Sequence, residues 1–506
     1  MNVSSKMPRR IVALWFPRLP TDRLQRRAKP DIASPPLVAV AKVKSAMVLQ
    51  ALDRQATSLG LRVGQPLANA RAMLPALEVV QTDETADAKL LVRIADWCDR
   101  FTPFVACDGP RHLLLDVTGA SHLFGGEQAM LDHICRSLRA QGFALRGAMA
   151  GTAVAARALA RYKDGTVIAC GQEEQAMKQL PIEALNLGST ATDALRRAGL
   201  KTIGQVATRQ RNELVVRLGS AMLEVLDEAL GRSSKPITPR RPPPDYWQEK
   251  SFSEPITNEE VIRASLSSLA LALGKTMERH GQGARRLEAA FFRVDGAVRH
   301  ISIETGAPTR EPAMIDRLFR EKLAMISDPL DPGFGFDLIR LCAVRVEAIS
   351  SDISDLNTHA HEKAEISFLI DRLAARFGSH RVLVFKSNDT HIPEKSFTVI
   401  QAQTAFASKL DWKKPRIKNA TPRRPLRMFA RPEPVILATP TRLNWRKSNR
   451  IMTQNEGPER IAMEWWRHEE AMPTRDYFRA EDLEGRRYWF YCNAATEQWF
   501  LQGLFA

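Results

Sequence analysis

FTPFVACDGPRHLLLDVTGASHLFGG, residues 101–126, is the stretch on which the fold turns. Inside it, residues 113–117 form a short apolar run with one acid, Asp116, and Thr118-Gly119 breaks it. That pattern predicts a buried strand ending in a turn. Upstream, residues 10–16 predict a first buried strand, 21–27 the start of a helix, and 37–43 a second strand. Residues 67–73 predict a helix opened by Pro66, and Leu90, Leu91, Ile94 and Trp97 recur at helical spacing. Downstream come a helix over 127–139, a small-residue strand over 143–150 and an Ala-rich helix over 152–161. Strands alternating with helices in this way predict an α/β or α+β domain with a covered sheet.

The chain has 506 residues, too many for one core, so three or more domains are expected. With 44% hydrophobic and 26% charged residues it has an ordinary globular composition. Seventy-three Lys and Arg against 57 Asp and Glu give a net charge of +16. Such a surplus suits a polyanion, nucleic acid before an anionic membrane, although a merely basic surface is equally compatible. Six scattered cysteines without a C-x-x-C pair argue against a zinc site or a disulfide framework and fit a reducing cytoplasm. No apolar run reaches the length of a membrane span. The opening MNVSSKMPRR-IVALWF imitates a signal peptide, but its apolar part is short and Pro17-Arg18 interrupts it.

Phe101-Thr102-Pro103 followed by Leu115-Asp116-Val117-Thr118-Gly119 resembles the catalytic palm strand of Y-family (translesion) DNA polymerases. In that family Ser-Ile-Asp-Glu lies between the two blocks; here Gly109, Pro110, Arg111 and His112 fill those places. The resemblance also puts Trp15 at the first metal-binding Asp, Pro17 at the second, and Pro20 at the aromatic that screens the sugar of the incoming nucleotide. The Asp53–Gly60 segment and Val63-Gly64-Gln65-Pro66 match the fingers, with Arg54 and Thr57 where a Tyr and an Arg hold the triphosphate. The usual Asn-Lys pair is missing near Gly151-Thr152-Ala153, with Ala153 at the lysine. Nucleotidyl transfer uses two divalent cations held by hard oxygen ligands, usually carboxylates. Trp15, Arg111 and His112 supply none, so the expectation is no catalysis, no metal and no cofactor. The alternative is an active but divergent polymerase using Asp108, Asp116 or Asp22 as replacement ligands. A third reading, a nucleic-acid-binding module unrelated to polymerases, makes the palm match accidental.

The same resemblance implies an α+β, multidomain architecture. Palm and fingers span 8–172, a helix-hairpin-helix thumb 173–232, a Pro-rich linker 233–247, an α/β little finger 248–350, and a partner-binding region with an aromatic-rich β-domain 351–506. Glycine turns in a thumb expose N–H groups that can hold a DNA phosphate, which makes Gly188, Gly199, Lys201 and Gly204 candidate DNA contacts. Asn186 stands where the family prefers Gly. In the little finger, Arg285, Arg286 and Arg293, with Arg299, are the candidate phosphate contacts. A sliding-clamp motif is expected near 353–357, where Asp355 and Leu356 remain without the usual Gln and aromatic.

The last 145 residues go beyond ordinary Y-family enzymes. An amphipathic helix over 366–377, a basic proline-studded stretch over 413–431, and aromatic-rich short strands predict a small β-domain. The opening Leu-Trp-Phe-Pro-Arg-Leu, His391-Ile392-Pro393-Glu394, the block at 457–461 and the Gly-Leu-Phe-Ala end resemble the polymerase-like subunit of a bacterial inducible mutagenesis system. That resemblance implies a non-catalytic adaptor bridging DNA, the sliding clamp, a RecA-like accessory protein and an error-prone replicative-type DNA polymerase, in the cytoplasm and away from membranes. Trp499, Phe500, Leu504 and Phe505, at helical or turn spacing, are the expected partner anchors. The competing expectation is that this tail closes the β-domain's own core.

Overall fold

The computed structural model describes residues 8–28, 34–325, 333–349, 358–405 and 424–505, apart from 426, 440, 447 and 468–472. The chain forms two compact units. The first comprises Met1–Ile303 and Pro308–Ser350, the second Glu304–Ala307 and Ser351–Ala506.

The first unit is built on a five-stranded sheet with Ile11–Trp15 at its centre, antiparallel to His112–Asp116 on one side and Arg146–Ala150 on the other. Val105–Cys107 and Thr166–Val167 form its edges. IVAL is apolar throughout because both faces are covered, and all four residues have no exposed surface. Successive side chains point to opposite faces. Ile11 and Ala13 join a core with the helix Ala153–Tyr162, and Val12 and Leu14 join another with Glu84–Cys98 and Glu127–Ala140.

A smaller sheet places Leu37–Val43 between Ala46–Leu52 and Glu78–Gln81. The helices Arg54–Ser58 and Leu67–Met73 supply Ala56 and Ala70 to its core. Asp53 caps the first of these, accepting the Ala56 N–H at 2.7 Å. Ala46–Leu52 was not expected from the sequence. Its hairpin turns at Lys44, which adopts φ +54° without the glycine or asparagine that would have signalled it.

Five short helical segments follow, from Ile182–Leu185 to Ser220–Ala229. A second sheet then runs in the order Val298–Thr309, Gln282–Arg293, Phe336–Ala348, Tyr246–Ile256. It is accompanied by the helices Glu259–Arg279 and Pro312–Ala324. Among the described residues no helix is long and apolar enough to cross a membrane.

In the second unit the helix Thr358–Phe377 precedes a two-stranded sheet, Leu383–Ser387 with Phe397–Gln401. Six strands then close a barrel: Arg427–Thr439, Arg442–Trp445, Ser448–Ile461, Arg475–Asp482, Arg487–Asn493 and Trp499–Leu504. The tail is thus a strand, correcting the helical or turn spacing read from sequence. It closes the barrel by pairing with both Arg427–Thr439 and Arg487–Asn493.

Candidate functional site

The antiparallel register sets Trp15 directly opposite His112 on one side and Arg146 on the other. The Trp15 and His112 rings stack with centroids 6.2 Å apart and an angle of 16° between planes. The guanidiniums of Arg146 and Arg161 each lie 5.7 Å from the Trp15 ring. Next to His112, Arg111 donates to the carbonyls of Pro17 at 3.3 Å and Gln50 at 3.0 Å. The guanidinium thereby ties the end of the first strand to the small sheet. Burial lowers the pKa of Arg111. It drives His112 down to about 4, with Arg157 and Arg161 opposing the pull of Asp108. His112 is therefore a neutral imidazole at physiological pH, stacked under an indole.

The three positions that the resemblance assigns to metal-binding acids do come together, and they hold an indole, an imidazole and a guanidinium. Neighbouring carboxylates are otherwise engaged. Asp108 pairs with Arg157 at 2.9 Å. Asp116 accepts the Thr118 N–H and hydroxyl and lies 3.7 Å from Arg9. Asp22 accepts the Ala144 N–H at 2.8 Å, and burial raises its pKa to about 6. Among the described residues no group of three His, Cys, Asp or Glu side chains converges in a way that could hold a cation.

Toward the small sheet, a cavity of about 570 Å³ is lined by Trp15, Thr57, Arg18, Arg62, Arg139 and Arg146. Asp164, the one acid among its lining residues, takes Arg139 at 3.1 Å and the Gly147 N–H at 2.8 Å. Thr57 gives its hydroxyl to the Asp53 carbonyl at 2.7 Å, and Arg54 is exposed at the start of its helix. Ala153 follows Thr152, which caps the helix Ala153–Tyr162.

In the helical segment Gly188 and Gly199 have positive φ and are exposed. Asn186 takes the left-handed conformation, φ +54°, that the expected glycine would have taken, a conformation asparagine tolerates. Lys201 points an exposed side chain outward, but its N–H donates to Gln205, the N3 residue of a Thr202 capping box. Gly204 is needed for close packing, since a Cβ there would stand 2.9 Å from the Lys178 carbonyl.

The four arginines of the second sheet divide. Arg285 is buried 3.5 Å from Glu347, and Arg293 is buried against Asp295. Arg286 and Arg299 are exposed. A register shift in the Gln282–Arg293 strand falls between Ala284 and Arg286, so the two adjacent arginines differ in burial.

Sequence reasoning missed a set of ionic pins within the first unit. Arg240, in the Pro-rich segment, pairs with Asp96 and Asp99 at the end of the helix Glu84–Cys98, and its N–H donates to Val105. Arg340 pairs with Glu249 and donates to the carbonyls of Asp99 and Arg100. Arg100 pairs with Asp337 at 2.9 Å. The pins bind the Pro-rich segment and the second sheet to the first domain. Only the Arg-Arg doublet in a proline-rich run hinted at them.

In the barrel Trp499 and Leu504 pack half-buried on one apolar cluster, and Phe500 and Phe505 on the other. Leu501 and Gln502 between them are buried. Any partner contact by the four aromatic and aliphatic tail residues must be made from these half-buried positions. Asp355 and Leu356 lie outside the described residues.

Two family models match, the impB/mucB/samB family over residues 22–161 and the impB/mucB/samB family C-terminal domain over residues 244–358. Protein ImuB of Caulobacter vibrioides is 36% identical over 88% of this chain and 100% of its own length. The chain belongs to the ImuB family. The ImuB-family match covers more of the chain than those to DNA polymerase IV. The Dehalococcoides mccartyi polymerase is 23% identical over 61% of this chain and 80% of its own, and the Caulobacter vibrioides one 23% over 64% and 81%. The solved DinB of Sulfolobus solfataricus is 16% identical and covers 66% of this chain and 100% of its own at a TM-score of 0.39. With its polymerase-like domains and β-rich end, this member of the ImuB family is an α+β, multidomain protein.

Proposed function

We propose that the chain is a non-catalytic, polymerase-shaped adaptor in DNA-damage-induced error-prone translesion synthesis. The observation that carries this reading is the Trp15–His112 stack with Arg111 beside it, at the positions where Y-family enzymes carry metal-binding acids. An indole offers no lone pair to a hard cation, a guanidinium repels it, and a carboxylate-free floor leaves the developing charge of phosphoryl transfer unbalanced. On this reading the protein is cytoplasmic and grips DNA non-specifically through Gly188, Gly199, Lys201 and Arg286. It bridges the sliding clamp, a RecA-like accessory protein and an error-prone replicative-type polymerase, with Asp355-Leu356 as the clamp contact and the barrel end as the partner side.

Primer extension by the purified chain, with Mg²⁺ and separately with Mn²⁺, tests the central claim. Incorporation at background level is expected. Metal-dependent extension by the wild-type chain would sink the adaptor reading and revive an active divergent polymerase that draws ligands from Asp108, Asp116 or Asp22.

A further inference from the structure

The two-stranded sheet ahead of the barrel turns an apolar face to water. Leu383–Ser387 and Phe397–Gln401 pair antiparallel with Phe385 opposite Val399. The two-residue period puts Leu383 and Phe385 of one strand on the same face as Phe397 and Val399 of the other. All four side chains are between 38% and 58% exposed. Phe385 and Phe397 meet edge to face at 5.0 Å, so the patch is continuous across both strands. Among the described residues neither outer edge of this sheet is paired. A lone two-stranded sheet is marginal in water, and an apolar cluster of this kind marks a contact surface.

The charges around the patch indicate what covers it. Arg381 precedes the first strand and Lys395 precedes the second, so antiparallel pairing sets an exposed cation at each end of the face. The nearby acid Glu394 is already paired with Arg475 at 2.5 Å. Asp389, exposed in the connecting loop, is the remaining acid between the strands.

We infer that this face docks a partner protein through an acidic segment carrying apolar anchor residues. The inference rests on the adaptor reading and names one place where such a partner engages. A second copy of the chain fits poorly, because an isologous pairing would bring the cations of each copy against those of the other. A run of stacked bases fits poorly as well. Edge-to-face packing leaves only one of the two rings an open plane, and Leu383 and Val399 offer none.

The test is selection of a random peptide library on the full-length protein, followed by titration of the enriched peptides against Phe385→Asp/Val399→Asp and against Arg381→Glu/Lys395→Glu. Thermal unfolding checks that both variants fold, and the charge reversal leaves the apolar face intact should the first not fold. Enriched peptides should combine an excess of Asp and Glu with two or more large apolar residues. Their affinity should fall about tenfold or more in the first variant and about threefold in the second. Failure to enrich any peptide, enrichment of neutral or basic peptides, or equal affinity for all three proteins would overturn the proposal. So would a wild-type dimer that the first variant abolishes, or loss of oligo-dT binding in place of peptide binding. Primer extension by the wild-type chain decides the adaptor reading independently, so the two failures cannot be confused.

Discussion

Deleting residues 502–506 should unfold the C-terminal barrel. The strand Trp499–Leu504 is the seam where the barrel closes. Leu504 lies opposite Arg427 on one side and Tyr488 on the other, and Gly503 lies between Met428 and Trp489. The buried Gln502 donates its Nε2 to the Phe429 carbonyl at 3.1 Å. The Phe505 N–H reaches the Arg487 carbonyl at 3.0 Å, and its ring lies 5.1 Å from the Arg479 guanidinium. Half-buried Leu504 and Phe505 contribute about 1 kcal/mol each through apolar burial. Carbonyls left without donors in a dehydrated site cost about 1–3 kcal/mol apiece. Tyr488 and Trp489, now 1% and 2% exposed, would also be uncovered. The total is about 5 kcal/mol, comparable with the whole stability of a small domain, which is about 5–15 kcal/mol. Phe505→Ala alone should cost only about 1 kcal/mol. Soluble yield, limited proteolysis and tryptophan-detected denaturant unfolding of the full and truncated chains give the readout. The truncated chain should be cleaved within 424–501 while the first unit survives. Unchanged protection and an unchanged transition midpoint would show that the strand is no seam, and would leave the tail free to serve as a partner anchor.

Restoring acids through Trp15→Asp, Arg111→Asp and His112→Glu together should still give no primer extension, because Arg54, Thr57 and Ala153 leave the triphosphate unheld; gain of metal-dependent extension would refute this. Arg286→Ala should weaken DNA binding and lower the salt slope by about one, whereas Arg293→Ala should lower thermal stability with little change in that slope; the reverse result contradicts the burial argument. His112→Gln should reduce acid lability. The folded-state pKa of His112 is depressed from 6.5 to about 4, so its neutral form contributes stability above pH 6.5 that is lost as pH falls toward 4. Asp22, raised to about 6, acts with the opposite sign, so the effect is read as the difference between wild type and variant across pH 4–6.5. That difference should approach about 1–2 kcal/mol after allowance for partial exposure.

The central strand was legible because four successive apolar residues cannot sit in water, and the paired helices were legible from their spacing. Leu67–Met73 falls on the residues predicted. The Lys44 hairpin was not legible, since nothing in Val-Lys-Ser-Ala announces a turn. Phe16, expected in the core, is fully buried, whereas Trp15, expected there too, is half-buried between cationic neighbours. A small β-domain could be expected from aromatic alternation, but closure could not, because it depends on pairing Arg427–Thr439 with a strand more than sixty residues later. In the candidate site the replaced acids were visible only against a known family. The pins from Arg240 and Arg340 join residues more than a hundred positions apart, so no local pattern carries them.

The packing around Trp15 makes the present state hard to leave one substitution at a time. A lone aspartate there would empty the space beside His112 and lose the contacts to Arg146 and Arg161, at a cost of about 1–3 kcal/mol. An acid at Arg111 would release the carbonyls of Pro17 and Gln50. Each step back toward a carboxylate floor lowers stability before a second carboxylate is present to share a cation. The floor therefore behaves as an evolutionary ratchet, in which drift moves readily toward bulk and positive charge and only a concerted change reverses it.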